Sequence, residues 1–266
     1  MPAPWDHLRH RGIFVAYCPL GDPRFDPHEL LEVFHGAGVD IVEIGLPTRD
    51  PYLDGPAIAK SLRLGYEAGI TVNTIVSSAA SWRTKVPNGP LVVLVSYPQT
   101  DLAQFDWARA QAVDGFLMID RQLSDTESLS LSLAKRGVAS CSLLPWKPSE
   151  EAVAAAAKAD GYVMVQSRPG KTGPAPPDPG SGVLAARLRD LGCRSPIVFG
   201  FGIRDRQSVR RAARYGANGV VVGTACLEAL ERGLISAERH LTELRLIVDD
   251  EFDGGQSTTP NPTVIL

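Results

Sequence analysis

Val39-Asp40-Ile41-Val42-Glu43-Ile44-Gly45 is an apolar run of strand length, and Leu46-Pro47-Thr48-Arg49-Asp50-Pro51-Tyr52-Leu53-Asp54-Gly55 after it is dense in turn-forming residues. Pro56–Ala68 then takes up helical patterning. The run is apolar at consecutive positions, as expected of a parallel strand covered on both faces. Working outward in both directions, the same strand–loop–helix unit recurs. Strands are predicted at Ile13–Cys18, Val39–Gly45, Leu91–Tyr97, Gly115–Ile119, Val138–Leu143, Gly161–Gln166, Ile197–Gly200 and Gly219–Gly223. Helices are predicted at Pro27–Gly36, Pro56–Ala68, Asp101–Ala112, Ser124–Arg136, Ser149–Ala159, Gly182–Leu191, Asp205–Tyr215 and from Ala225 onward, with Ser124 and Ser149 preceding acidic first turns.

Strict alternation favours a parallel sheet with right-handed crossovers. An open doubly wound sheet is the alternative, but even units filling roughly 230 residues fit closure better. The expectation is an α/β chain forming a single (β/α)₈ TIM barrel over residues 1–250, with a loose polar tail from Glu251 to Leu266. Within the barrel one segment is unusual, the Pro- and Gly-rich Pro169–Gly182 after the sixth strand.

The 266 residues suffice for a sizeable core, and 44% apolar and 21% charged residues are ordinary for a globular domain. A formal charge of −3 offers no basic footprint for nucleic acid and no cationic face for a membrane. The longest apolar run, around Leu91–Val95, is far too short to cross a bilayer. The first residues carry no export signal, so a cytoplasmic location is expected. Cys18, Cys141, Cys193 and Cys226 lack metal-ligand spacing and read as small buried hydrophobes.

In such barrels chemistry gathers where strands end. Glu43 lies near the end of its strand, and a carboxylate in an apolar run is costly unless paired or functional. Asp40 and Glu43 are an odd number of positions apart and face opposite ways, with Asp40 expected at the strand's start within reach of water. Burial of an inward Glu43 would raise its pKa toward the range useful for proton transfer. The competing reading is an internal salt bridge. For Asp54 the competing reading is a turn residue before Gly55-Pro56, and Asp22 and Asp50, each before a proline, read as turn formers.

Glycines follow the last three strands, in Ser167-Arg168-Pro169-Gly170-Lys171-Thr172-Gly173, Gly200-Phe201-Gly202-Ile203 and Gly223-Thr224-Ala225. Together they suit the backbone cradle of a phosphate, though turns alone also use glycine. Lys171 reads as a solvated loop residue, and Arg168 could share that role or add charge to the phosphate site.

At these residues the chain resembles the tryptophan synthase alpha subunit family, the indole-3-glycerol-phosphate lyases. The resemblance runs from about Gly12 to Ala229 and rests on Leu20-Gly21-Asp22-Pro23, Val42-Glu43-Ile44-Gly45-Leu46-Pro47, Asp50-Pro51-Tyr52-Leu53-Asp54-Gly55-Pro56 and the three glycine loops. It implies retro-aldol cleavage of indole-3-glycerol phosphate to indole and glyceraldehyde 3-phosphate, without metal or organic cofactor. Glu43 matches the family's main acid/base and Asp54 its second carboxylate. Gly173, Gly202, Gly223 and Thr224 match its phosphate contacts, while Tyr17, Tyr97 and Phe201 match positions lining its indole pocket. A tryptophan synthase beta subunit is the partner the resemblance implies.

The chain departs from the family pattern at Thr48-Arg49, Pro98-Gln99, Met164, Arg121-Gln122 after Asp120, and Pro174-Ala175-Pro176-Pro177. Two alternatives therefore stand beside an ordinary alpha chain. One is a stand-alone paralogue that releases indole or cleaves a related phosphorylated substrate. The other is a catalytically silent barrel that acts as a binding partner.

Overall fold

The computed structural model describes residues 12–100, 111–120, 123–171 and 177–253, together with Trp5, Leu8 and Phe105. Eight parallel strands close on themselves in sequence order: β1 (Ile13–Cys18), β2 (Ile41–Gly45), β3 (Leu91–Ser96), β4 (Gly115–Met118), β5 (Ala139–Leu144), β6 (Val163–Gln166), β7 (Ile197–Gly200) and β8 (Gly219–Val222). Around them run α1 (Pro27–Gly36), α2 (Pro56–Glu67), α3 (Val72–Lys85), α4 (Leu123–Ala134), α5 (Glu150–Ala156), α6 (Gly180–Asp190), α7 (Arg206–Arg214), α8 (Thr224–Leu230) and α9 (Leu234–Asp253). This is the closed barrel expected from the alternation, and the open sheet is excluded by the pairing of β1 with β8.

Local chemistry sets several helix starts. Asp26 caps α1 by accepting from the His28 and Glu29 amides, with Pro27 in the first turn. Ser149 caps α5 through the Ala152 amide, and Asp205 and Ser208 form a reciprocal capping box at α7. Ser124 instead falls inside α4. The helix expected over Asp101–Ala112 lies almost wholly outside the described residues.

Three assignments differ from the sequence reading. Helix α3 was not foreseen, although it buries Val72, Ile75, Val76, Ala79 and Trp82 at helical spacing. The final helical stretch is two helices, α8 and α9, broken at Gly233, whose φ of 110° a side chain would resist. Glu251–Asp253 complete α9 rather than begin a tail, because Glu251 accepts from Arg206 and Arg210 of α7 at 2.9 Å. The tail expectation beyond Asp253 lies outside the described residues.

Asp40 is the main correction. It is buried, not watered, and accepts from the Phe14 amide at 2.9 Å and from Arg245 Nη1 of α9 at 2.8 Å. Arg245 also donates to the Gly12 carbonyl at 2.8 Å and pairs with Asp249 at 2.5 Å. The last helix is thereby fastened to the strand starts of β1 and β2. Asp40→Ala should destabilise the chain by roughly 3 kcal/mol in chemical denaturation, since it strands a buried guanidinium. A loss below about 1 kcal/mol would show that Asp249 and the Gly12 carbonyl hold Arg245 without it.

Candidate active site

Neighbouring strands keep Tyr17, Glu43, Val93 and Gly115 at one level of the barrel. Alternate residues on every strand point inward, so the next inward positions toward the strand ends are Gly45, Val95 and Leu117. The lower interior is filled: Trp5 lies under Tyr162 with ring centroids 6.0 Å apart and occupies space that a side chain on Gly115 would need. The upper interior is open. A cavity of about 630 Å³, mouth included, is lined by Tyr17, Glu43, Gly45, Asp54, Ile58, Leu62, Val95, Tyr97, Leu117, Ile119, Leu143, Met164, Gly200, Phe201, Val221 and Gly223. Glycine at three strand ends makes room there. The ring of Tyr17 fills the space beside Gly45, and the Met164 thioether lies where a side chain on Gly200 would be.

Glu43 is 4% exposed. Among the described residues no cation pairs with it, so the internal salt bridge weighed for Glu43 is not found there; the Tyr162 hydroxyl, from the opposite side of the barrel, donates to its Oε1. Desolvation pushes the Glu43 carboxyl up to about 7, with the Tyr162 hydrogen bond opposing and the charge of Asp54 adding to the rise. Asp54 closes a turn, its amide donating to the Pro51 carbonyl at 3.2 Å, and the residue also borders the cavity. Tyr97 Oη donates to Asp54 Oδ2 at 2.7 Å. Burial lifts Asp54 to about 6, while the Tyr97 hydrogen bond and the positive charge of exposed Lys171 hold it down.

Of the pocket residues singled out in the sequence, Tyr17, Tyr97 and Phe201 all line the cavity. The Tyr17 hydroxyl is buried and makes no hydrogen bond among the described residues. Phe201 and Gly202 both take positive φ, 67° and 97°, and the Ser167 hydroxyl donates to the Gly200 and Phe201 carbonyls at 2.6 and 2.9 Å. Ser167 thus ties the β6 loop to the strained β7 turn. Gly223 borders the cavity, and Thr224 starts α8 with its hydroxyl buried and without a hydrogen bond among the described residues. Gly173 lies outside the described residues.

The sequence reading missed Tyr162 and Ser167. Tyr162 was legible only as an inward position two residues before Met164. Among the described residues no group of His, Cys, Asp and Glu could hold a metal ion, and no helix is long and apolar enough to cross a membrane. All four cysteines are free and buried.

The fold and this cavity define a β/α-barrel protein with two carboxylates, raised by burial, facing one apolar space at its strand ends. The profile of the family described as "Tryptophan synthase alpha chain" matches residues 6–254, and the chain belongs to that family of indole-3-glycerol-phosphate-cleaving lyases. It is 32% identical over 254 residues to the tryptophan synthase alpha chain of Edwardsiella ictaluri, covering 91% of this chain and 93% of that one. It is 30% identical over 258 residues to the alpha chain of Bordetella pertussis, covering 89% of each. In three dimensions it resembles tryptophan synthase subunit alpha from Legionella pneumophila with a TM-score of 0.78 at 20% identity, covering 94% of this chain and 100% of that one. A tryptophan synthase structure from Mycobacterium tuberculosis gives 0.78 at 23% identity over 93% of this chain and 97% of that one.

Because folding raises the Glu43 pKa from 4.5 to about 7, its native proton is held more tightly than in the unfolded chain. The associated stability is fully present below the unfolded value and is lost as pH rises through about 7. Glu43→Gln should therefore be more stable than the parent at pH 8, by up to about 3 kcal/mol, and no more stable at pH 4. Denaturation curves of both proteins at the two pH values check this, and a pH-independent difference would mean that folding does not shift the Glu43 pKa.

Proposed function

We propose that this chain cleaves indole-3-glycerol phosphate to indole and glyceraldehyde 3-phosphate, with Glu43 as acid/base and Asp54 as the charge-holding carboxylate. The observation that carries the reading is the pair itself: two carboxylates on one cavity, each raised by burial and each held by a tyrosine hydroxyl. Protonated Glu43 delivers a proton to C3 of the indole ring. Positive charge develops on the ring nitrogen, where ionised Asp54 stabilises it, and any N–H proton that Asp54 takes returns to the nitrogen as the C–C bond breaks. The hydroxyl on the carbon attached to the ring then returns a proton to the Glu43 carboxylate. Its oxygen becomes a carbonyl, and the electrons of the breaking C–C bond go back to the ring. Glu43 ends as it began, and no cofactor enters this account.

The rest of the cavity supports the same substrate. Val95, Leu117, Ile119, Leu143 and Met164 suit a flat apolar ring, and Tyr17, Tyr97 and Phe201 complete the indole pocket. Gly202, Gly223 and Thr224, with Gly173, are the phosphate contacts of this reading, made chiefly by backbone N–H groups. A tryptophan synthase beta subunit is the proposed partner, supported by family membership.

The test is indole release from indole-3-glycerol phosphate by the purified chain, alone and with a beta subunit. Glu43→Gln and Asp54→Asn should each keep the fold and lower kcat by at least about a hundredfold. The wild-type kcat/KM should rise with pH through Asp54 at about 6 and fall through Glu43 at about 7, and the lower limb should vanish in Asp54→Asn. Near-normal turnover by the Gln variant would remove Glu43 from the mechanism.

A bulky residue at Gly202, where φ is 97°, should weaken binding of inorganic phosphate and of phosphorylated substrate by at least about tenfold. Unchanged phosphate affinity by calorimetry would move the phosphate site away from the β7 turn.

A further inference from the structure

Tyr52 stands two residues before Asp54 in the β2 loop, and its side chain does not enter the cavity. Its ring packs edge-on against the ring of Tyr97, centroids 5.0 Å apart and planes at 70°. Its hydroxyl donates to Asp120 Oδ2, in the loop after β4, at 2.8 Å. Asp120 holds that carboxylate there from a positive φ of 52°, a conformation that asparagine and aspartate tolerate better than other side chains. Tyr97 in turn gives its own hydroxyl to Asp54 at 2.7 Å.

Four side chains from three consecutive strand ends thus form one line: Asp120, Tyr52, Tyr97, Asp54. Tyr97 is gripped from both sides by the same loop, by the Tyr52 ring on one side and the Asp54 carboxylate on the other. Without the Asp120 bond the Tyr52 ring would have rotamer freedom at the surface, and the outer wall against Tyr97 would loosen. We infer that Tyr52 and Asp120 form a latch between the β2 and β4 loops that positions the Asp54 carboxylate through Tyr97. The inference rests on the role given to Asp54 under Proposed function. Tyr52 and Asp120 are positioning residues: neither touches the cavity, and their effect falls on the geometry of a group whose work is done in the transition state.

Tyr52→Phe keeps the ring and removes only the hydroxyl. Asp120→Gly removes the acceptor without a penalty for positive φ, and Asp120→Asn keeps an acceptor oxygen. Two readouts are taken on the full chain: exchange of the Asp54 backbone amide with deuterium, and kcat and KM for indole-3-glycerol phosphate. The expected result is that Tyr52→Phe and Asp120→Gly each speed amide exchange at Asp54 at least about threefold and lower kcat about two- to tenfold at nearly constant KM. The double variant should be no worse than either single one, because both break the same bond, and Asp120→Asn should stay near wild type.

Unchanged exchange at Asp54 in both single variants would overturn the latch. Faster exchange with unchanged kcat, or with a rise in KM alone, would overturn its positioning role. Additive losses in the double variant would show two independent effects and overturn the single line of contacts. If the wild-type chain releases no indole, the reading of the reaction fails and the positioning role goes with it. The exchange data then separate that failure from failure of the latch itself.

Discussion

The structure turns on one carboxylate placed where solvation is poor. Glu43 sits inside a closed ring of parallel strands, and the side chains around it are mostly aliphatic or aromatic. An ionised carboxylate there is tolerated only with compensation. Among the described residues, what compensates is a phenolic hydroxyl, from Tyr162, reaching across the barrel. That hydroxyl is supported from beneath by Trp5, whose indole nitrogen bonds the Asp114 carbonyl at 3.3 Å. The filled lower interior and the open upper interior are thus two consequences of one arrangement. Large aromatic residues brace the acid from below, and glycines at Gly45 and Gly200 give Tyr17 and Met164 room to line the cavity above it.

The second carboxylate is held by different means. Asp54 is carried on a loop, and its alignment depends on a turn hydrogen bond and on Tyr97 from the next strand. The β6 and β7 loops are joined in a similar way, by the Ser167 hydroxyl on two carbonyls. Rigid strands therefore fix Glu43 directly, whereas loops fix Asp54 through contacts with one another. A site of this kind places its most demanding group on the most rigid element.

The sequence made the barrel legible because its evidence was local and repeated. Each apolar run with its loop and helix spoke for itself, and eight of them agreed. Helix α3 escaped because the alternation was already complete without it, although Val72, Ile75, Val76, Ala79 and Trp82 carried the helical spacing. The parity argument sent Glu43 inward and Asp40 to the other face, and both directions are as the fold has them. What it missed for Asp40 was the partner, because Arg245 lies 205 positions away and only closure of the barrel brings α9 beneath β2. Tyr162, 119 positions from Glu43, was hidden for the same reason. Pairwise contacts made by topology leave no local pattern, so the strand-end residues could be named while most of the groups that tune them could not.

In the proposed mechanism that tuning decides which carboxylate does which task. Both acids are lifted by desolvation and lowered by one tyrosine hydrogen bond. An ordinary aspartate, at 3.8, already lies below an ordinary glutamate, at 4.5, and the remaining charges act in the same direction. Asp54 feels the positive charge of Lys171 and settles at about 6, whereas Glu43 feels the negative charge of Asp54 and settles at about 7. Once Asp54 ionises, it makes the neighbouring proton harder to remove, so the pair favours one ionised and one protonated member near neutrality. An exposed lysine that reads from the sequence as plain solvated loop therefore helps set the order in which the acids titrate. The order is the one a retro-aldol cleavage needs: a proton ready at Glu43, and a negative charge already in place at Asp54 before positive charge appears on the ring.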